Sequence, residues 1–204
     1  RGSRIDTAPE IAPVTADELR TYLREDATGL PDAEADELVD EARQLIEDMV
    51  GLALITQTWQ LTLDRWPHGQ ERWWDGVQQG HINSIYANPH LVDVARPRFP
   101  LQSVTSVTVY DEDSNSTAVT VASTFDIDTQ QMPGRMTLQR GAVWPVALRA
   151  NNAIEVVYVS GYGDASSDIP APLKRAVKQL AAYLYSHRGD DCNTAIQDSG
   201  IAGI

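Results

Sequence analysis

Ala53-Leu54-Ile55-Thr56-Gln57-Thr58-Trp59 is the stretch on which the fold turns. Before it, apolar residues recur at helical spacing. From it onward they fall at every second position. Ile55, Trp59, Leu61 and Leu63 share one face of an extended strand, and Thr56, Thr58, Gln60 and Thr62 share the other. A chain that changes period at this point is a helical segment followed by a sheet.

Working backward, Ala35, Leu38, Val39, Ala42, Leu45, Ile46, Met49 and Val50 form a continuous apolar stripe at helical period. Asp36, Glu37, Asp40, Glu41, Glu47 and Asp48 mostly occupy the opposite side. Gly51 suits the C-terminal cap. Further back, Thr15-Ala16-Asp17-Glu18 is a capping box, in which the hydroxyl accepts a backbone N–H three residues on. It opens a short helix to about Asp26, with Leu19, Tyr22 and Leu23 on one side. Gly29-Leu30-Pro31-Asp32 ends that helix and starts the next. Residues 1–14 have no period and are expected to be a flexible arm.

Working forward, Asp64 to Gly80 reads as an irregular loop. Strands are expected near 82–86, 91–95, 103–110, 117–122, 125–128, 135–139 and 153–159. Asp111-Glu112-Asp113-Ser114-Asn115-Ser116 is a polar turn between two of them. Ile169-Pro170-Ala171-Pro172 opens a last helix with a stripe of Leu173, Ala176, Val177, Leu180, Ala181 and Leu184. Lys174, Arg175, Lys178 and Arg188 give it a basic face. Helices, then strands, then a helix predict an α+β chain. The N-terminal and C-terminal helices would form a small bundle, with an antiparallel sheet or sandwich inserted between them. The expected segments are an arm (1–14), an acidic helical segment (15–51), a β module (52–168), a helix packing on the N-terminal helices (169–188) and a tail (189–204), in one compact unit.

With 204 residues, 42% hydrophobic and 22% charged, the chain can bury a core and is not of disordered composition. No apolar run approaches the roughly 20 residues that span a bilayer. No apolar stretch follows Arg1-Gly2-Ser3-Arg4, so no signal peptide is expected. The single cysteine, Cys192, has no internal disulfide partner. Net charge is -13, and thirteen Asp/Glu against three Arg lie between Glu10 and Asp48. Such a surface repels phosphate and disfavours sequence-reading DNA binding. It is a solvated face, a face that lets DNA slide past, or a dock for a basic partner.

Candidate chemistry is sparse. Asp111, Asp113 and Asn115 match the start of a calcium loop, but Ser116 replaces the turn glycine and Ala122 the bidentate glutamate. Asn115-Ser116-Thr117 is a glycosylation sequon that is inert without a secretory signal. His68, His81, His90 and His187 form no helical pair at metal-ligand spacing. No Gly-x-Ser-x-Gly elbow is present, and Gly161-Tyr162-Gly163 lacks the third glycine of a phosphate loop. No catalytic, cofactor-binding or metal residue is expected, and no cofactor. Trp66, Trp73 and Trp74 cluster with Arg65 and Arg72, but Asp64, Glu71 and Asp75 cancel the cations. The indoles suit a protein interface, or they cover the open end of the sheet.

The ordered set of elements resembles the head-tail connector (adaptor) proteins of tailed phages and gene transfer agents. The resemblance is carried by the acidic helix ending in Met49-Val50-Gly51, by Ala53 to Asp64, and by Arg96-Pro97-Arg98-Phe99-Pro100-Leu101-Gln102-Ser103-Val104. It continues through Phe125-Asp126-Ile127-Asp128, Pro133-Gly134-Arg135, Trp144-Pro145 and Val156 to Asp164. Ile169 to Leu173, leading into Ala182 to Arg188, completes it. It implies a non-enzymatic virion protein at the head-tail junction, in a ring that is usually dodecameric. The implied partners are further copies of itself, the portal protein, and a stopper or tail protein. Double-stranded DNA would pass through the channel without sequence-specific binding, and no membrane is involved. By resemblance, the last helix and residues 189–204 would meet the portal, which singles out Lys174, Arg175, Lys178, Arg188, Ile201 and Ile204. The Trp loop is longer than the resemblance implies. A stopper or tail-terminator ring subunit is the alternative, and a small enzyme with a spatially assembled site is a third.

Overall fold

The computed structural model describes residues 2–66, 91–93, 98–132, 134–142 and 148–188. The strand expected near 82–86, Arg96-Pro97, Pro133, Trp144-Pro145 and the tail 189–204 lie outside the described residues. The chain divides into two units, Arg1–Ile11 with Glu47–Asp168 and Ala12–Ile46 with Ile169–Ile204, where one compact unit was expected.

The first unit is the β module. Five antiparallel strands run in the order β1-β2-β8-β4-β5: β1 (Gly2–Thr7), β2 (Gln57–Leu63), β8 (Ile154–Ser160), β4 (Leu101–Tyr110) and β5 (Ser116–Val119). A second sheet has the order β3-β7-β6, from β3 (Leu91–Asp93), β7 (Arg135–Leu138) and β6 (Phe125–Asp128). Between β5 and β6 the one-turn helix α3 (Val121–Thr124) replaces the end of the strand expected at 117–122.

Register explains the core. Trp59 stands opposite Tyr158, Leu61 opposite Val156 and Leu63 opposite Ile154. Across β8, Val107 pairs with Val156 and Val109 with Ile154. Rows of apolar side chains therefore cross three strands on one face, and Phe125 and Met136 of the second sheet complete the same cluster. Each fully buried large side chain contributes about 1.5–3 kcal/mol.

The N-terminal arm is a correction. Residues 2–7 form a strand paired with β2, Ile5 opposite Trp59. The Arg4 guanidinium also donates to Gln60 Oε1. A six-residue segment has too little pattern to announce this. The hydrogen-bonding edge of β2 supplies what local sequence does not.

The start of the sheet is a junction of distant segments. Ala53 N donates to Phe99 O at 2.9 Å, and Phe99 N to Gly51 O at 3.1 Å. Gly161 N donates to Pro100 O at 3.0 Å, and Thr56 N to Gly163 O at 3.1 Å. Gln102 Nε2 bridges Thr56 Oγ1 and Gly161 O, each at 2.9 Å. Gly161 adopts φ 140°, and a Cβ there would lie 2.6 Å from the backbone of Ile55 and Thr56. Glu47 is a second correction. It was expected on the polar side of its helix, yet it is buried at 3% exposure. Its Oε1 accepts from Leu54 N at 2.7 Å and Gln57 Nε2 at 2.9 Å. Arg98 Nη1 caps the helix end at Glu47 O, 2.5 Å away, while its guanidinium pairs with Asp48 and lies 4.8 Å from the Trp59 ring centroid.

In the second unit, α1 (Ala16–Leu23) is capped by Thr15, whose Oγ1 accepts from Glu18 N at 3.2 Å. Helix α2 (Asp32–Val50) buries Ala35, Val39, Ala42 and Ile46. Leu45, Met49 and Val50, expected in the buried stripe, are exposed, Met49 at 83%. The buried line follows spacings of four, three and four, which leaves these three on its flank. Helix α4 (Ala171–Ser186) buries Val177 and Ala181. Lys174 and Lys178 of α4 reach Glu18 of α1 at 3.6 and 3.5 Å.

The fragment of a calcium loop is a hairpin turn between β4 and β5. Asp111 Oδ1 accepts from Asn115 N at 2.8 Å, and Oδ2 from Asn115 Nδ2 at 3.0 Å. The Asn115 side chain, then its backbone N–H, hold the Asp111 carboxyl below its ordinary value of 3.8.

Two outcomes follow from this architecture. Gly161→Ala adds a methyl against backbone and lowers stability by at least ~2 kcal/mol in urea unfolding. Gly141→Ala, at φ 87° with open space around the new Cβ, costs clearly less. Equal costs would show that close approach at Gly161 is not limiting. For Asp111, the folded carboxyl titrates below the unfolded one. Its stabilising contribution is full above the unfolded value and is lost as pH falls through the lower folded value. Asn115→Ala raises the Asp111 pKa towards 3.8, read by NMR titration of the carboxyl carbon. An unchanged titration would refute the assigned cause.

Candidate interaction surfaces

The residues singled out for contact separate into three groups. Trp66 is a core residue at 3% exposure, its ring 6.1 Å from Phe125 and tilted by 45°. It closes the space between the two sheets and presents no face to a partner, which corrects its place among the interface residues. Trp73, Trp74, Ile201 and Ile204 lie outside the described residues.

The basic face of α4 is mostly engaged within the second unit. Glu18 faces both Lys174 and Lys178, and Arg188 Nε lies 3.5 Å from Glu34 Oε1. The Arg188 guanidinium also lies 3.7 Å from the Tyr185 ring centroid. Arg175 is exposed and forms no ion pair among the described residues. Four and eight residues on, Gln179 and Tyr183 are exposed as well, and Tyr183 is stacked on His187 with ring centroids 4.1 Å apart. Among the described residues, the solvent face of α4 thus includes a cation with no ion pair, an amide and a stacked aromatic ring.

The acidic helices carry a different surface. Arg20 is spent internally, on Asp17 at 2.5 Å, Asp32 at 2.6 Å and the Leu30 carbonyl at 3.2 Å. Arg43 is buried and binds Asp40 at 2.5 Å. Glu37 and Glu41 remain exposed on α2, with Leu45 next along the same face at 41% exposure. Sequence reasoning missed this pairing of acid and apolar surface, because it assigned Leu45 to the core.

Among the described residues, the first unit includes shallow cavities of about 310 and 440 Å³. One is lined in part by Glu10, Gln57 and Asp164, the other by Asp64, Arg65 and Arg149. Neither brings a carboxylate to a histidine among the described residues, the arrangement that acid–base catalysis most often uses. No group of three metal-ligating side chains occurs among the described residues, and no described helix is long and apolar enough to cross a membrane.

No protein-family model matches the chain, and none of the curated proteins does. The fold, however, is found in solved structures of gene transfer agent particles. A chain in the virion of a native particle is 22% identical, with a TM-score of 0.69, over 94% of this chain and 88% of that one. A chain in the neck of an empty particle, computed with C6 symmetry, is 23% identical at a TM-score of 0.69, over 94% and 87%. A chain in the neck of a native particle, computed with C12 symmetry, is 22% identical at 0.65, over the same shares. The chain therefore shares, over nearly its whole length, the fold of proteins that stand in such a neck.

Proposed function

We propose that this protein is a head-tail connector (adaptor) subunit, a structural virion protein that forms a ring between the portal and the stopper or tail and extends the DNA channel. The observation that carries the reading is the shared fold over 94% of the chain with neck proteins of gene transfer agent particles.

The surface chemistry supports the same role. A ring repeats one heterologous contact, so each subunit needs two different complementary surfaces. Exposed carboxylates on α2 and an exposed cation on α4 meet that need. A conduit for DNA must not hold phosphate tightly, and a net charge of -13 favours release. The role is architectural: the work is done by surfaces that fit, not by groups that react.

Co-expression with the portal protein of the same particle tests the reading. Electron microscopy is expected to show rings of this chain on the portal, with sixfold or twelvefold symmetry. Absence from the portal under all assembly conditions would overturn it, and binding to a tail tube but not to portal would make the chain a tail-side ring instead.

A further inference from the structure

The exposed stripes of α2 and α4 match in chemistry and in length. On α4, Arg175, Gln179 and Tyr183 are exposed at intervals of four residues. On α2, Glu37, Glu41 and Leu45 are exposed at the same intervals. Each stripe covers nine residues, an offset of eight that is about 12 Å along a helix axis. Laid side by side and parallel, they oppose Arg175 to Glu37, Gln179 to Glu41, and Tyr183 to Leu45. A cation meets a carboxylate, an amide donates to a carboxylate, and a ring covers an aliphatic side chain.

We propose that the Arg175–Gln179–Tyr183 stripe of α4 docks on the Glu37–Glu41–Leu45 stripe of α2 of a second copy of this chain. This rests on the ring reading and names its contact surfaces. Three observations favour a second copy over another occupant. Among the described residues, the other two cations of α4, Lys174 and Lys178, both lie against Glu18 and Arg188 just beyond the helix lies against Glu34, whereas Arg175 has no ion-pair partner and can meet an outside carboxylate. Tyr183 is 58% exposed, yet its ring is held by stacking on His187, so little side-chain freedom is lost on docking. The two stripes are different surfaces of one molecule, as a head-to-tail ring contact requires and a twofold dimer does not.

Charge reversal and cross-linking test the pairing on the full chain co-expressed with portal, with rings counted by electron microscopy. Arg175→Glu and Glu37→Arg are each expected to reduce rings about tenfold. Both lie on exposed helix faces, and circular dichroism checks that the variants fold. Combining them in one chain restores an opposite-charge pair at every contact, and rings are expected to return. In a Cys192→Ser background, a mixture of Leu45→Cys and Tyr183→Cys chains is expected to form disulfide-linked dimers on assembly, beyond those of either variant alone. Rings that tolerate both reversals, or that assemble without the mixed cross-link, would overturn the pairing and leave the connector reading intact. Loss of portal binding with rings preserved would assign the α4 stripe to the portal and also overturn it. Absence of rings from the unaltered chain would remove the connector reading and the pairing together.

Discussion

The first unit is organised around a buried carboxylate. Glu47 sits at the end of a helix with 3% exposure and gives one oxygen to the Leu54 N–H and the Gln57 amide. A charge taken out of water is tolerated only where its partners are in place, and removing them costs several kcal/mol. The group therefore fixes where the chain leaves α2 and enters β2. Once that path is fixed, Ala53 meets Phe99, Thr56 meets Gly163, and Gly161 meets Pro100. Helix end, two strand starts and one turn thus become a single hydrogen-bonded knot, with no space for a side chain at Gly161.

Much of this was legible in the sequence. The change of period after Gly51 separates helix from sheet; alternation is complete in the burial of β8, and in β2 it is broken at Gln60, which is buried beside its apolar neighbours. The capping box at Thr15 does what its residue types imply. What was not legible depends on contacts across the fold. Glu47 looks like any other acid on a polar helix face, and only its tertiary surroundings distinguish it from Glu41. Leu45 and Met49 share the helical period of the core residues, yet lie one flank away from the buried line. Six residues at the N-terminus become a strand because a distant edge pairs with them.

The candidate surface was legible in kind and not in detail. Opposite charge on the early and late helices is a matter of counting. Which charges are available to another molecule is not, because internal pairs form only in the fold. Glu18 and Glu34 take up three of the four cations singled out in the last helix. Trp66 was grouped with indoles of a contact loop, and the structure puts it between sheets against Phe125. Exposure, rather than residue type, decides what remains for assembly.

Strand order also constrains how the molecule is made. In the five-stranded sheet, β8 lies between β2 and β4, and among the described residues β1 is an edge strand paired with β2. On a ribosome, the first strand waits for residues 57–63, and both inner neighbours then wait for residues 154–160. Nascent chain of well over a hundred residues must emerge before the central ladder can close, and the closing contacts are far apart in sequence. Until then the facing edges of β2 and β4 are unpaired. The acidic segment 10–48 precedes β2 and β4 in the chain, and like charge of this kind opposes association between such open edges.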